Sequence, residues 1–279
     1  MTNTKMVFLH AITPVHSGTG QAAAVIDLPI AREKATGWPV IPASSIKGVL
    51  RDEWENNGNQ EHVKKAFGSP EEAGALCFGD QRIVCLPVRS FFGTFAYVTC
   101  PLVLRRLKRD ADALEIPLNL KDIPNVTGTG IAVTKETVLK GNDNKVYLED
   151  LDLGPAAAGD GAGGIAAAIG KVVFDTDAGV FAQRFAVVSD EVFSFLCEAA
   201  VEVAARVRLE DETKTVAGGG LWYEEAVPAE TIFAGAVMLA GHAKRNGGAD
   251  LLEKLNSSLI QVGGDASVGR GLCRMVVAK

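Results

Sequence analysis

Histidine is scarce in this sequence and cysteine is unpaired. There are five cysteines (Cys77, Cys85, Cys100, Cys197, Cys273), with no Cys-x-x-Cys spacing, and four histidines, His10, His16, His62 and His242. An odd, scattered set of thiols with so few histidines argues against a disulfide framework and a structural zinc centre. Buried, reduced thiols in a cytoplasmic protein are the reading that remains. No run of about 18 uncharged apolar residues occurs, so no membrane-spanning helix is expected. The N-terminal MTNTKMVFLHAITP lacks the basic stretch, apolar run and cleavage site of a secretion signal, which also points to the cytoplasm. H-E-x-x-H pairs, kinase signatures and solenoid repeats are missing as well.

What is present is a chain of 279 residues, 47% hydrophobic, with 28 basic and 34 acidic residues and a formal charge of −6. That composition supports a substantial core and excludes disorder as the main state. The charge is unevenly spread. Residues 81–109 hold Arg82, Arg89, Arg105, Arg106, Lys108 and Arg109 and no acid, whereas residues 210–230 hold six acids against Lys214 alone. A local field of that kind permits a basic groove despite the negative total. An acidic face beside a basic one also suits head-to-tail contact between copies.

Lys5 to Ile12 reads as a first strand, with weak alternation, followed by the turn-forming His16-Ser17-Gly18-Thr19-Gly20. Trp38-Pro39-Val40-Ile41-Pro42 is extended, since each proline disfavours helix at the residue before it. Ser44 or Ser45 then caps a helix with Ile46, Val49, Leu50 and Trp54 on one stripe, stopped at Asn56-Asn57-Gly58. Residues 83–104 look like a buried strand pair, although periodicity alone leaves a buried helix open. Further helices are expected over Asp190–Arg206 and Leu251–Leu259. Residues 154–170, with six Gly and seven Ala, read as a mobile insertion or linker, and 206–226 as a long hairpin around a polar tip.

Four constellations could carry chemistry. The loop Gly263-Gly264-Asp265-Ala266-Ser267-Val268-Gly269-Arg270-Gly271 is rich enough in glycine for a tight turn or an anion cradle of backbone N–H groups, and it matches neither a Walker nor a dinucleotide fingerprint. Lys47 and Arg51, four apart, share a helix face near a helix N-terminus, a phosphate site or a solvated basic face. Gly48 between them costs ~1 kcal/mol relative to Ala, which suggests that something packs closely there. Asp27 follows the uncharged run Ala22 to Ile26 and could deprotonate a hydroxyl, hold a divalent cation, or satisfy turn N–H groups. His16 could act as acid or base near neutral pH or be a structural, hydrogen-bonded histidine.

Several segments together resemble one family: HAITPVHSGTG, DLPIAREKATGWPVIPASSIKGVLRDEW, LCFGDQRIVCLPVRSFFGTFAYVTCPLVLRRL, GGLWYEEAVPAETIF and GGDASVGRG. They are similar to the RAMP superfamily, specifically the backbone subunit of the type III-B (Cmr) CRISPR effector complex, over nearly the whole chain. The resemblance implies an α+β fold, a single domain over residues 1–279 built as a modified RRM (ferredoxin-like) palm with insertions and a protruding β-hairpin thumb at 206–226. It implies copies stacked head to tail on CRISPR RNA beside other Cmr subunits, and target single-stranded RNA cut at regular intervals by metal-dependent endoribonuclease chemistry for antiviral defence. It places Asp27 at the cleavage carboxylate, with Mg or Mn as the divalent ion, and it suggests His16 and Glu224 or Glu225 nearby. Ser44, Ser45, Lys47 and Arg51, with Gly263, Gly264, Gly269 and Arg270, fall where the RNA is bound. The insertion at 154–170 departs from the family pattern.

A subunit that must accept any guide is expected to grip phosphates and sugars and ignore base edges. The alternatives are a structural guide-binding filament protein without catalysis and a histidine-dependent ribonuclease that processes CRISPR RNA.

Overall fold

A computed structural model describes residues 3–19, 26–56, 60–241, 243, 249–256 and 258–278; His242, Gly20, Asn57, Gly58 and most of the run before Asp27 lie outside the described residues. In chain order, β1 (Thr4–Ala11) is followed by β2 (Val40–Ile41), α1 (Ala43–Asn56), α2 (Gln60–Phe67), β3 (Leu76–Phe78), β4 (Gln81–Arg89) and β5 (Phe95–Thr99). Next come α3 (Pro101–Ala113), β6 (Ile131–Val133), β7 (Val146–Leu148), β8 (Leu151–Leu153), β9 (Ala156–Ala158), α4 (Asp160–Val173) and α5 (Ala178–Arg184). The chain continues through β10 (Phe185–Val188), α6 (Asp190–Ala199), β11 (Glu202–Leu209), β12 (Val216–Ala226), β13 (Ile232–Leu239), α7 (Ala249–Glu253), β14 (Ser258–Gln261) and β15 (Leu272–Val277).

An eleven-stranded mixed sheet runs β14-β15-β1-β13-β4-β5-β10-β6-β9, with β2 joined to β4 and β3 to β13. Strand β1 is its spine, antiparallel to both β13 and β15. Successive strand residues face opposite sides. Val7, Leu9 and Ala11 therefore enter a core completed by Ile46 and Leu50 of α1 and Phe67 of α2. Met6 and Phe8 enter a second core with Leu104 of α3, Ile165 and Ile169 of α4, and Phe181 of α5. Both faces of β1 are thus covered by helices, which is why its sequence alternates so weakly. The hairpin β11–β12 stands apart as its own two-stranded sheet. Its Val203, Val207, Leu209, Val216 and Leu221 remain exposed.

Residues 154–170 are not a mobile linker. They form β9 and most of α4, with Ala162, Ile165, Ala166 and Ile169 buried. Alanine is the strongest helix former, and the small residues serve close packing here. A Cβ on Gly161 would lie 2.4 Å from the Asp122 carbonyl oxygen, and one on Gly170 would lie 3.1 Å from the Phe181 ring. The helix expected over Asp190–Arg206 ends at Ala199, and Arg206 belongs to β11. That expected over Leu251–Leu259 ends at Glu253, and Leu259 pairs in β14. In both places an alanine- or leucine-rich segment compatible with helix is taken by strand pairing instead.

A polar clamp joins β1, β5 and the connection between β12 and β13. Glu230 accepts from His10 Nε2 at 2.9 Å and from the Tyr97 hydroxyl at 2.5 Å. The His10 contact outweighs the opposing effect of burial and, with the Tyr97 contact, holds the Glu230 carboxyl below the usual carboxylate range. Such a group adds stability above its unfolded pKa and loses it as pH falls through its folded pKa. Glu230→Gln is expected to lower the urea midpoint at pH 7, and the gap from the parent protein should narrow as pH falls below the free glutamate value of about 4.3 and Glu230 becomes protonated. Paired urea titrations at pH 7 and below that value measure this.

Candidate functional site

The base of the β11–β12 hairpin gathers Asp27, His16, Glu224 and Glu225. Leu28 makes a single parallel bridge to Glu224 of β12, after which Ile30 pairs with Gly18 and Arg32 with Pro39. Asp27 Oδ2 accepts from the Tyr223 N–H at 2.8 Å, Leu28 N–H donates to the Tyr223 carbonyl at 3.1 Å, and Glu225 N–H donates to the Leu28 carbonyl at 3.0 Å. Asp27 itself is exposed, and its other oxygen has no hydrogen-bond partner among the described residues. It is a carboxylate held from one side by the hairpin backbone.

Glu224 and Glu225 point to opposite faces of β12. On one face, Glu224 accepts from Arg206 Nε at 2.9 Å and Trp222 Nε1 at 2.8 Å. Burial pushes its pKa up, but the Trp222 and Arg206 contacts, with the charges of Arg206 and Arg270, win and leave it lowered. On the other face, Glu225 accepts from Ile30 N–H at 3.0 Å and pairs with Arg32. Both carboxylates are buried and committed within the chain. His16 is buried too, and its Nδ1 lies 2.7 Å from the Glu225 carbonyl oxygen. A carbonyl only accepts, so Nδ1 carries the proton. The ring folds back over Gly18, where a Cβ would come within 2.7 Å of Nε2. His10 binds Glu230 and His62 lies beside the Lys254 ammonium, so the histidines among the described residues all have neighbours.

The C-terminal glycine loop packs behind this site. Gly263 has φ +85°, and a Cβ there would sit 2.2 Å from the His16 carbonyl oxygen; Gly264 N–H donates to that same oxygen at 2.9 Å. Gly271, at φ +80°, would place a Cβ 2.1 Å from the Val262 carbonyl oxygen. Close backbone approach thus accounts for these two glycines within the chain. Gly269 is different: its φ is +82° with nothing near the Cβ position. Arg270 is buried, and its Nη1 has no hydrogen-bond partner among the described residues.

Helix α1 begins at Ala43, one or two residues before the expected serine caps, and Asp80 Oδ1 accepts from the Ala43 N–H at 2.8 Å. Ser44 and Ser45 therefore lie in the first turn, with Ser44 exposed and Lys47 half-buried and outside any ion pair among the described residues. Arg51 pairs with Glu55 at 2.8 Å. Within 4 Å of a Gly48 Cβ there is nothing and the residue is exposed, so the close packing expected there is not found among the described residues. The basic run at 81–109 is largely neutralised internally. Arg106 makes a two-pronged contact to Glu33 at 2.8 and 2.5 Å, Arg82 and Arg109 engage Asp110, Lys108 engages Asp112 and Arg89 reaches Glu149 at 3.2 Å. Those acids come from outside the run or from just beyond its end.

A sequence profile of the RAMP superfamily matches residues 8–274. The chain belongs to the RAMP superfamily. Among RAMP proteins it is 38% identical to the CRISPR system Cmr endoribonuclease Cmr4 of Pyrococcus furiosus, over 98% of this chain and 95% of that one. It is 24% identical to the CRISPR system CMR subunit Cmr4 of Saccharolobus solfataricus, over 97% and 95%. The crystal structure of oligomeric Cmr4 from Pyrococcus furiosus superimposes with a TM-score of 0.78 at 31% identity, covering 100% of this chain and 98% of that chain. The RAMP α+β palm with its projecting hairpin is therefore the fold here.

Sequence reasoning missed Arg32, Arg206 and Trp222, which hold the site together. Arg206 and Trp222 are cross-strand partners in the hairpin, a signal visible once its register is known. Arg32 lies five residues beyond Asp27 in the DLPIAREK segment, but nothing in the local spacing shows which groups it holds.

Proposed function

We propose that this RAMP protein is the guide-binding backbone subunit of a type III-B CRISPR effector and that it cuts target RNA beside Asp27. One observation carries the reading: an exposed carboxylate is fastened, through Tyr223, to the foot of a projecting hairpin. The endoribonuclease named for the Pyrococcus relative and the oligomer formed by its Cmr4 support it.

In an A-form duplex the 2′-oxygen is out of line with its own 3′-phosphate, so the strand resists self-cleavage. A hairpin that displaces one nucleotide frees that linkage to reach an in-line geometry. The 2′-hydroxyl then attacks phosphorus and the 5′-oxygen leaves, taking a proton from water, giving a 2′,3′-cyclic phosphate and a 5′-hydroxyl. Asp27 accepts or orients the 2′-hydroxyl proton. No cluster of three His, Cys, Asp or Glu side chains able to hold a metal occurs among the described residues. A closed protein cage therefore does not fit, but one carboxylate shared with substrate phosphates is a donor set that Mg²⁺ accepts. Held between Asp27 and target phosphates, a divalent ion would offset the charge that builds on the phosphate oxygens.

Guide binding falls to the first turns of α1, where Ser44, Ser45, Lys47 and the open Gly48 backbone offer hydroxyls, charge and close approach. Lys47→Ala should weaken binding of unrelated guide sequences equally. It should also lower the slope of log affinity against log salt by about 0.7 for each single-strand phosphate that is no longer neutralised. Salt titrations with two guides of different sequence test this, and a loss confined to one guide would overturn it.

A further inference from the structure

Arg32 lies within the DLPIAREK segment, and the cleavage chemistry gives it no role. Its Nη1 donates to the Gly37 carbonyl at 2.9 Å and the Cys197 carbonyl at 3.0 Å, while Nη2 engages Glu225. Cys197 lies in the last turn of α6, whose final carbonyls have no partner within the helix. Helix α6 runs directly into β11, the outgoing strand of the thumb, and Glu225 sits near the end of β12, the returning strand. One planar fork therefore ties the helix that leads into the thumb, and the thumb's returning strand, to the segment that carries Asp27. Glu225 extends the tie, since its second oxygen takes the Ile30 N–H, three residues beyond Asp27.

We infer that Arg32 is a positioning residue: with Glu225 it fixes the Asp27 carboxylate relative to the thumb, so that the displaced linkage and the carboxylate stay in register. This rests on the reading that Asp27 serves cleavage. Glu225 then acts on Ile30 and Arg32, not on RNA. Lysine cannot replace the arginine, because a single ammonium cannot reproduce a fork that reaches acceptors on three separate segments.

The test uses the guide-loaded complex with Arg32→Ala, Arg32→Lys and Glu225→Gln, each compared with Asp27→Ala. Guide retention should stay within about twofold of the parent, while single-turnover target cleavage falls by up to ~10²-fold, the scale of a misplacement near 1 Å. Arg32→Lys should be impaired nearly as much as Arg32→Ala. Free guanidinium ion should restore part of the Arg32→Ala rate, which a general loss of folding would not allow. Adding Arg32→Ala to Asp27→Ala should slow cleavage no further. If Arg32→Ala does not assemble, slow cleavage by assembled Arg32→Lys and Glu225→Gln carries the same conclusion. Parental cleavage by the Arg32 and Glu225 variants, with Asp27→Ala inactive, overturns the positioning role and leaves the Asp27 reading intact. Parental cleavage by Asp27→Ala overturns that reading itself.

Discussion

Asp27→Ala is expected to leave guide-loaded complexes intact and to cut target cleavage by at least ~10²-fold, the low end for losing a general acid or base. The side chain is exposed and makes one described hydrogen bond, to the Tyr223 N–H, so its removal costs little in folding. The same contact supplies a control. Asn at this position still presents an oxygen to the Tyr223 N–H but carries no charge. If the carboxylate charge does the chemistry, Asp27→Asn falls as far as Asp27→Ala. If its work is to fix the loop, Asp27→Asn keeps most of the parental rate. Cleavage of a labelled target under single-turnover conditions, beside a gel-shift measure of guide retention, separates these outcomes. Unchanged cleavage in both variants would move catalysis to another group.

Gly263→Ala is expected to be strongly destabilising, as Gly271→Ala should be for the same reason. The Gly263 backbone is left-handed at φ +85°, and the new Cβ would sit 2.2 Å from the His16 carbonyl oxygen, a backbone atom that cannot swing aside. Conformational strain of about 1–3 kcal/mol adds to a forced separation of similar size. A total on the order of 3 kcal/mol or more lowers the melting temperature by roughly 6–12 °C for a chain of this length. Gly269→Ala is the comparison, because φ there is +82° with open space around the Cβ position. It should lose only about 1–2 kcal/mol, the left-handed penalty alone. Calorimetry on the two variants distinguishes close approach from backbone strain, and equal losses would refute the packing account. Displacing His16 in Gly263→Ala should also loosen the Glu225 end of the thumb, to which its ring is hydrogen-bonded.

Much of the fold was legible because local pattern and tertiary role agreed. The extended Trp38–Pro42 segment, the amphipathic stripe of α1 and the hairpin at 206–226 each follow from proline, from helical spacing and from a polar tip. Residues 154–170 were misread because composition alone cannot tell a flexible Gly/Ala linker from a helix whose small residues admit close neighbours. The positive charge counted over 81–109 is largely cancelled for a related reason. Asp110, Asp112, Glu33 and Glu149 neutralise it, and a count within the run cannot see Glu33 and Glu149.

The sequence by itself pointed to the family, the candidate carboxylate at Asp27, the hairpin and the order of the motifs, since these rest on residue type and short-range spacing. Only the tertiary structure decided that Asp27 hangs from Tyr223, that Glu224 and Glu225 face opposite ways into their arginines, and that Arg32 ties the thumb to its foot. Those are contacts between residues up to about two hundred positions apart. Strand register and chain crossing bring such residues together, and no local pattern encodes them.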